Sequence, residues 1–166
     1  MTSQPVKSAF LKLLIIFCFA LSLPLIAEAN ELNLDKAKMI IQAAEKYGNS
    51  RGWKLSIAVV NAEGNLVMFQ RGDGAYTGSI ASAISKAKSA NAFQRPTSAF
   101  VQGVKEGRLG LLSSPDIVAI EGGVPIMLMG KHAGAIGISG AKATEDEEAG
   151  LAAVKVTSQI SKHHEK

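Results

Sequence analysis

Apolar residues recur along this chain with two different periods. Leu34, Ala37, Ile40, Ile41, Ala44 and Tyr47 return at helical spacing between Asn33, a capping residue type, and Gly48, which predicts an amphipathic helix with Asp35 in its first turn. The pattern then turns strand-like from Trp53 to Val60, breaks at Asn61–Asn65, and resumes from Leu66 to Gln70, a helix followed by a hairpin. A second helix is predicted over Ser79 to Asn91, with Ile80, Ala83, Ile84, Ala87 and Ala90 or Asn91 on one side. That face is mostly alanine and should pack closely; Ser85, Lys86 and Lys88 are assigned to a solvated polar face. Pro96 pushes Arg95 out of the helical region, so the helix ends within Phe93–Thr97, and Thr97 or Ser98 opens a short helix through Val104. Gly103, Gly107 and Gly110 punctuate an irregular passage with Leu109, Leu111 and Leu112 at the edge of the core, and Asp116 to Ile120 is expected to form another short strand.

The centre of the pattern is the stretch from Glu121 to Ala141. Two apolar runs, Val124–Met129 and Ala133–Ile138, flank the polar pair Lys131 and His132, with Gly130 and Gly134 beside it, which predicts a β-hairpin turning at that pair. Neither arm alternates cleanly, so both faces should be covered, and the small residues Ala133, Gly134, Ala135 and Gly137 should admit a helix at close range. A last helix follows, opened by a Thr144-x-x-Glu147 capping box. It carries an apolar stripe of Ala149, Ala152, Ala153, Val156 and Ile160 and ends in Lys162, His163, His164 and Lys166.

These elements define an α/β (α+β) fold: one domain with a central, mainly antiparallel sheet of about five strands packed with helices. The 166 residues, 47% of them hydrophobic, suffice for one well-buried domain. Residues 1–29 stand outside it, because Lys7 and Lys12 flank or open the apolar run Leu13–Leu23, Pro24 breaks it, and Ala27-Glu28-Ala29 matches a small-x-small cleavage site. The run is well short of the roughly 20 residues that a membrane-spanning helix needs. A signal peptide cut after Ala29 is therefore expected, leaving residues 30–166 as a periplasmic or secreted protein with no stable membrane span.

Cleavage lowers the formal net charge from +4 to +3 and removes Cys18, the only cysteine. The charge is too mild and dispersed for nucleic-acid binding, and disulfides, thiolate catalysis and cysteine metal sites are excluded. Hydrolytic catalysis is poorly supplied as well. His163 and His164 lie in a terminal tail, no HExxH or EF-hand spacing occurs, and Gly134, Gly137 and Gly140 are spaced as G-x-x-G-x-x-G, unlike a dinucleotide-binding loop. What remains is an inventory suited to binding rather than turnover. Arg71, in the glycine-rich loop Arg71–Gly78, and Lys86, Lys88 and Arg95 can pair with carboxylates. Tyr76, Phe93 and Phe100 offer stacking surface, and Met68, Met127 and Met129 are soft metal donors or core filler.

In order and separation, several pieces resemble the GlcG/HbpS family of small haem-binding or haem-degrading-domain proteins, which is itself similar to the C-terminal domain of PduO-type proteins. They are Leu55 to Val67, Arg71-Gly-Asp-Gly-Ala, Ser82 to Ala90, Glu121-Gly-Gly-Val-Pro-Ile, Gly134 to Ala141 and Asp146-Glu147. The resemblance covers roughly Leu32 to Ile160. It implies association into homo-oligomers and, in some members, haem as cofactor; a reading of this chain then places the porphyrin in an apolar cleft, with Arg71, Lys86 and Arg95 facing its propionates and Tyr76 and Phe93 as ligand-binding aromatics. In PduO-like relatives a histidine of the first helix binds the iron, but Leu34 to Tyr47 contains none. His132 is then the first candidate for the metal, with Tyr76 or a methionine behind it. Two other readings stand beside this one: an enzyme or accessory protein binding a small carboxylate such as glycolate, and a non-catalytic oligomeric module.

Overall fold

The structure, a computed structural model, describes residues 31–158; the expected signal peptide and the tail histidines lie outside them. Four helices and a four-stranded sheet follow one another as α1 (Leu34–Asn49), β1 (Ser56–Asn61), β2 (Leu66–Arg71), α2 (Gly78–Phe93), α3 (Ser98–Lys105), β3 (Gly123–Leu128), β4 (Lys131–Ser139) and α4 (Ala143–Val154). A 3-10 turn over Leu109–Ser113 sits between α3 and β3. The α+β class and the antiparallel sheet are as expected, with one strand fewer: Asp116 to Ile120 is loop, held by the Val118 amide donating to Ser89 Oγ at 3.0 Å.

The strands run in the order β2-β1-β4-β3, every pair antiparallel. The pleat sends alternate side chains to opposite faces and so creates two cores. On one face Ile57, Val59, Ile136, Ile138, Val124 and Ile126 meet α1 and α4, where Ala37, Ile40, Ile41, Ala44, Ala149 and Ala153 are fully enclosed. On the other face Ala58, Val60 and Ala135 meet Ala83, Ala87 and Ala90 of α2, a core built almost wholly of alanine. Small side chains let α2 lie close to the sheet. At Gly137 a Cβ would collide with the Ala83 carbonyl and the Ala87 amide, so the helix backbone rests directly on β4. The close approach expected from the small residues is therefore found, with Gly137 and Ala135 on the side of α2.

Three local expectations are corrected. The hairpin turns at Met129–Gly130, both at positive φ (49° and 76°), two residues before the polar pair. A two-residue turn of this hand needs positive φ at both positions, and Gly130 supplies it without a steric penalty. Lys131 and His132 thus belong to β4, where His132 pairs with Met127 just beyond an irregularity that leaves Ala133 as the extra residue. The start of α4 is held by Glu145, whose carboxylate accepts from the Lys142 amide at 3.0 Å, while Glu147 accepts from Ser98 instead of closing the Thr144 box. Finally, Lys86 is not on a solvated face but 1% exposed. At α1 the capping expectation holds, since Asn33 Oδ1 accepts from the Lys36 amide at 3.1 Å.

Candidate functional site

The residues singled out from the sequence fall into separate places. At one end of the sheet, Arg71 closes β2 and donates through Nε to the Ala75 carbonyl at 2.9 Å, which ties the glycine-rich loop back on itself. Tyr76 is 55% exposed, and its hydroxyl lies 3.5 Å from Ser139 Oγ at the end of β4. Beneath them Ser56 and Ser79 share a hydrogen bond of 2.8 Å. His132 stands at the start of the same strand, seven positions from Ser139, or roughly 23 Å at about 3.3 Å per residue. One small ligand cannot touch both ends.

Lys86 belongs to neither end. Its ammonium donates to Asp146 Oδ2 and to the Ile138 carbonyl, each at 2.9 Å, and both side chains are 2% exposed. The second carboxylate oxygen of Asp146 accepts from the Ala141 amide at 3.0 Å. Burial raises the Asp146 pKa above its ordinary value, against the pull of Lys86. The charge of Lys86 is spent inside the protein, so as placed here it faces no ligand. Phe93 packs edge-on against Phe100 with ring centres 5.2 Å apart, and the exposed Arg95 lies 5.9 Å from the Phe100 ring at the end of α2.

The His132 end has the richer chemistry. The β1–β2 turn, the last turns of α2 and the loop before β3 enclose a cavity of about 490 Å³, walled by Glu63, Ser85, Lys88, Asn91, Asp116 and Val118. A second cavity of about 260 Å³ adjoins it across Ala62 and Glu63 and is lined by Glu31, Leu32, Asn61, His132 and Ala133. His132 Nε2 lies 2.8 Å from Asn91 Oδ1, and Asn91 Nδ2 donates to the Ala62 carbonyl at 3.0 Å, so α2, β4 and the turn are joined through one imidazole. Burial lowers the His132 pKa below its ordinary value, which keeps the ring neutral at neutral pH.

Lys88 was a candidate cation in the sequence; Asn91, Ser85, Glu63 and Asp116 were not seen as site residues. The one available signal was Asn91 itself, a carboxamide among the alanines of a contact face. Glu63 and Asp116 are distant in sequence and meet only through the fold. Among the described residues no three His, Cys, Asp or Glu side chains are placed to hold a metal ion. A haem at this end would have His132 as its available imidazole and Lys88 as the cation of the cavity wall, with the Glu63 and Asp116 carboxylates beside it.

A four-stranded antiparallel sheet clad on both faces by helices, with a polar cavity where α2 meets the hairpin turns, defines a small α+β domain. Residues 32–155 match the family model described as "Haem degrading protein HbpS-like", and the chain belongs to that family. It is 34% identical over 110 residues to Protein GlcG of Escherichia coli (strain K12), which covers 65% of this chain and 81% of GlcG. A double mutant of Streptomyces reticuli HbpS superimposes with a TM-score of 0.70 at 31% identity, over 76% of this chain and 86% of that one. The PduOC:Heme complex shares the fold, with a TM-score of 0.68 at 22% identity over 75% of this chain and 94% of its own.

Proposed function

We propose that this protein is an exported haem-binding protein whose ligand lodges at the His132 end of the sheet. His132 stands nearest the iron there, and Lys88 takes the place opposite the propionates that the sequence reading gave to Arg71, Lys86 and Arg95. The observation that carries this reading is the two adjoining cavities, about 490 and 260 Å³, with a neutral imidazole on one and a cation on the other. Membership of the HbpS-like family and the fold shared with the PduOC haem complex support it. Haem, when bound, supplies the iron chemistry; the residues of this chain orient it and cover it from water. Export rests on the apolar run and cleavage site of residues 1–29. No helix among the described residues is long and apolar enough to cross a membrane.

Haemin titrated into residues 30–166 should give a saturable shift of the Soret band, and Lys88→Glu should weaken it about tenfold, as loss of one charge-assisted contact implies. Absence of a saturable Soret change at micromolar haemin would overturn the reading. Sequencing of the processed protein should find Asn30 as its first residue.

A further inference from the structure

At the Arg71 end of the sheet, the last turns of α1, the start of β1 and the loop after β2 enclose a further cavity of about 250 Å³. Its floor is apolar, formed by Leu55 and Ile57, which are 5% and 1% exposed. Glu45 and Asn49, one helical turn apart on α1, stand on one side. Gln70, the partner of Ile57 across the sheet, stands on the other side with Asp73. Trp53 and Lys54 complete the lining, and the Lys54 stem lies along the glycine-rich loop, since a Cβ on Gly74 would come within 3.6 Å of its Cγ. Tyr47 and Arg51, which do not line the cavity, hold the indole in place: the Tyr47 ring centre is 6.2 Å from that of Trp53, and the guanidinium carbon is 5.6 Å from the indole ring.

The side chains of Glu45, Asn49, Lys54, Gln70 and Asp73 hydrogen-bond to no other described residue, unlike Arg71 beside them, which is spent on the Ala75 carbonyl. Their donors and acceptors are available to whatever enters. Two carboxylates only accept, the ammonium only donates, and two carboxamides do both. Two negative groups against one positive disfavour an anion, and among the described residues no three His, Cys, Asp or Glu side chains are placed to hold a metal ion. A hydroxyl both donates and accepts, so a ring carrying several of them can meet every group of this wall, while its C–H face lies against Trp53 and the apolar floor. The volume is below the roughly 300–1,000 Å³ of sites for drug-sized ligands, which limits the occupant to one small ring. We infer that this cavity is a binding site for a neutral polyhydroxylated ring, a single pyranose sugar, held between Gln70 and Asp73 on one side and Glu45 and Asn49 on the other. The site is separate from the cavities of the His132 end and does not depend on what binds there.

Trp53 is the only tryptophan of the chain, so its fluorescence reports on this cavity directly. D-glucose, D-galactose and N-acetyl-D-glucosamine are each titrated into residues 30–166 up to about 20 mM, a range in which a millimolar site saturates. At least one sugar should change the emission saturably. Gln70→Ala and Asp73→Ala should each weaken that sugar about tenfold, as loss of one hydrogen-bonding group to a ligand implies. In proton–nitrogen NMR of the wild type, the same sugar should move the Trp53 indole signal and the amides of Gly72 and Asp73. No saturable change with any of the three sugars overturns the inference, and so do shifts confined to residues around His132. Unchanged affinity in both variants overturns the placement of the ring. L-alanine or acetate binding more tightly than every sugar overturns the ligand class. If a variant fails to fold, the wild-type titrations and the NMR map still decide.

Discussion

The ammonium of Lys86 lies 2.9 Å from Asp146 and 2.9 Å from the Ile138 carbonyl, with 2% of each charged side chain exposed. Removing one partner of such a pair leaves a charge in a low-dielectric interior, which costs about 3–5 kcal/mol, whereas removing both costs far less. Lys86→Met should therefore lose about that much in urea unfolding at pH 8. The Lys86→Met/Asp146→Asn double variant, whose carboxamide can still accept from the Ala141 amide, should recover at least half. The single variant also carries a pH signature. Burial already raises the Asp146 pKa, and loss of Lys86 raises it further, so the folded state takes up a proton before the unfolded one as pH falls. The defect should shrink between pH 8 and pH 5. Part of this was legible in the sequence: Lys86 falls three residues after Ala83 and four before Ala90, on the buried face. Its type argued for solvent, and its acid, 60 positions away, leaves no mark in a local pattern.

At the level of elements, the reading succeeded where periodicity is long and failed where one residue sets the geometry. The helical repeat of Ala37, Ile40, Ile41 and Ala44 and the small residues of β4 placed α1 and α2 correctly, because burial enforces both. The hairpin turn was misplaced because Lys131 and His132 are polar and look like a loop, but backbone dihedrals decide a turn, and Met129–Gly130 holds the positive-φ pair. The expected strand at Asp116–Ile120 failed for another reason: β3 already forms the sheet edge, and the loop's polar contact goes to Ser89 on α2. Two glycines separate close approach from turn geometry. Gly137→Ala drives a methyl into the Ala83 carbonyl and Ala87 amide and should cost about 3 kcal/mol through overpacking. Gly130→Ala, at φ 76° with open space around it, carries only the backbone strain and should cost about 1 kcal/mol. Equal losses in the two variants on chemical denaturation would contradict the contact of α2 with β4.

Across the whole molecule, the sheet separates two ends that are built differently. At the Arg71–Tyr76 end the loop is tied back on itself beside a cavity of about 250 Å³ lined by Trp53, Lys54, Gln70, Gly72 and Asp73, and the His132 end joins α2, β4 and the β1–β2 turn through one neutral imidazole. The sequence offered His132 and Lys88 as candidates, but it could not show that the turn, the helix end and the loop at Asp116 enclose a common space. That arrangement ties folding to the proton of His132. Burial holds the folded-state pKa of His132 below the ordinary 6.5, so as pH falls through 6.5 the unfolded chain binds the proton first. The stability that His132 contributes is complete above pH 6.5 and is lost as pH falls through the folded-state pKa. Urea unfolding from pH 8 to pH 5 should show wild type losing more stability below pH 6.5 than His132→Gln, with no divergence above it. A wild type that parallels His132→Gln throughout would mean that the ring is solvated at this position.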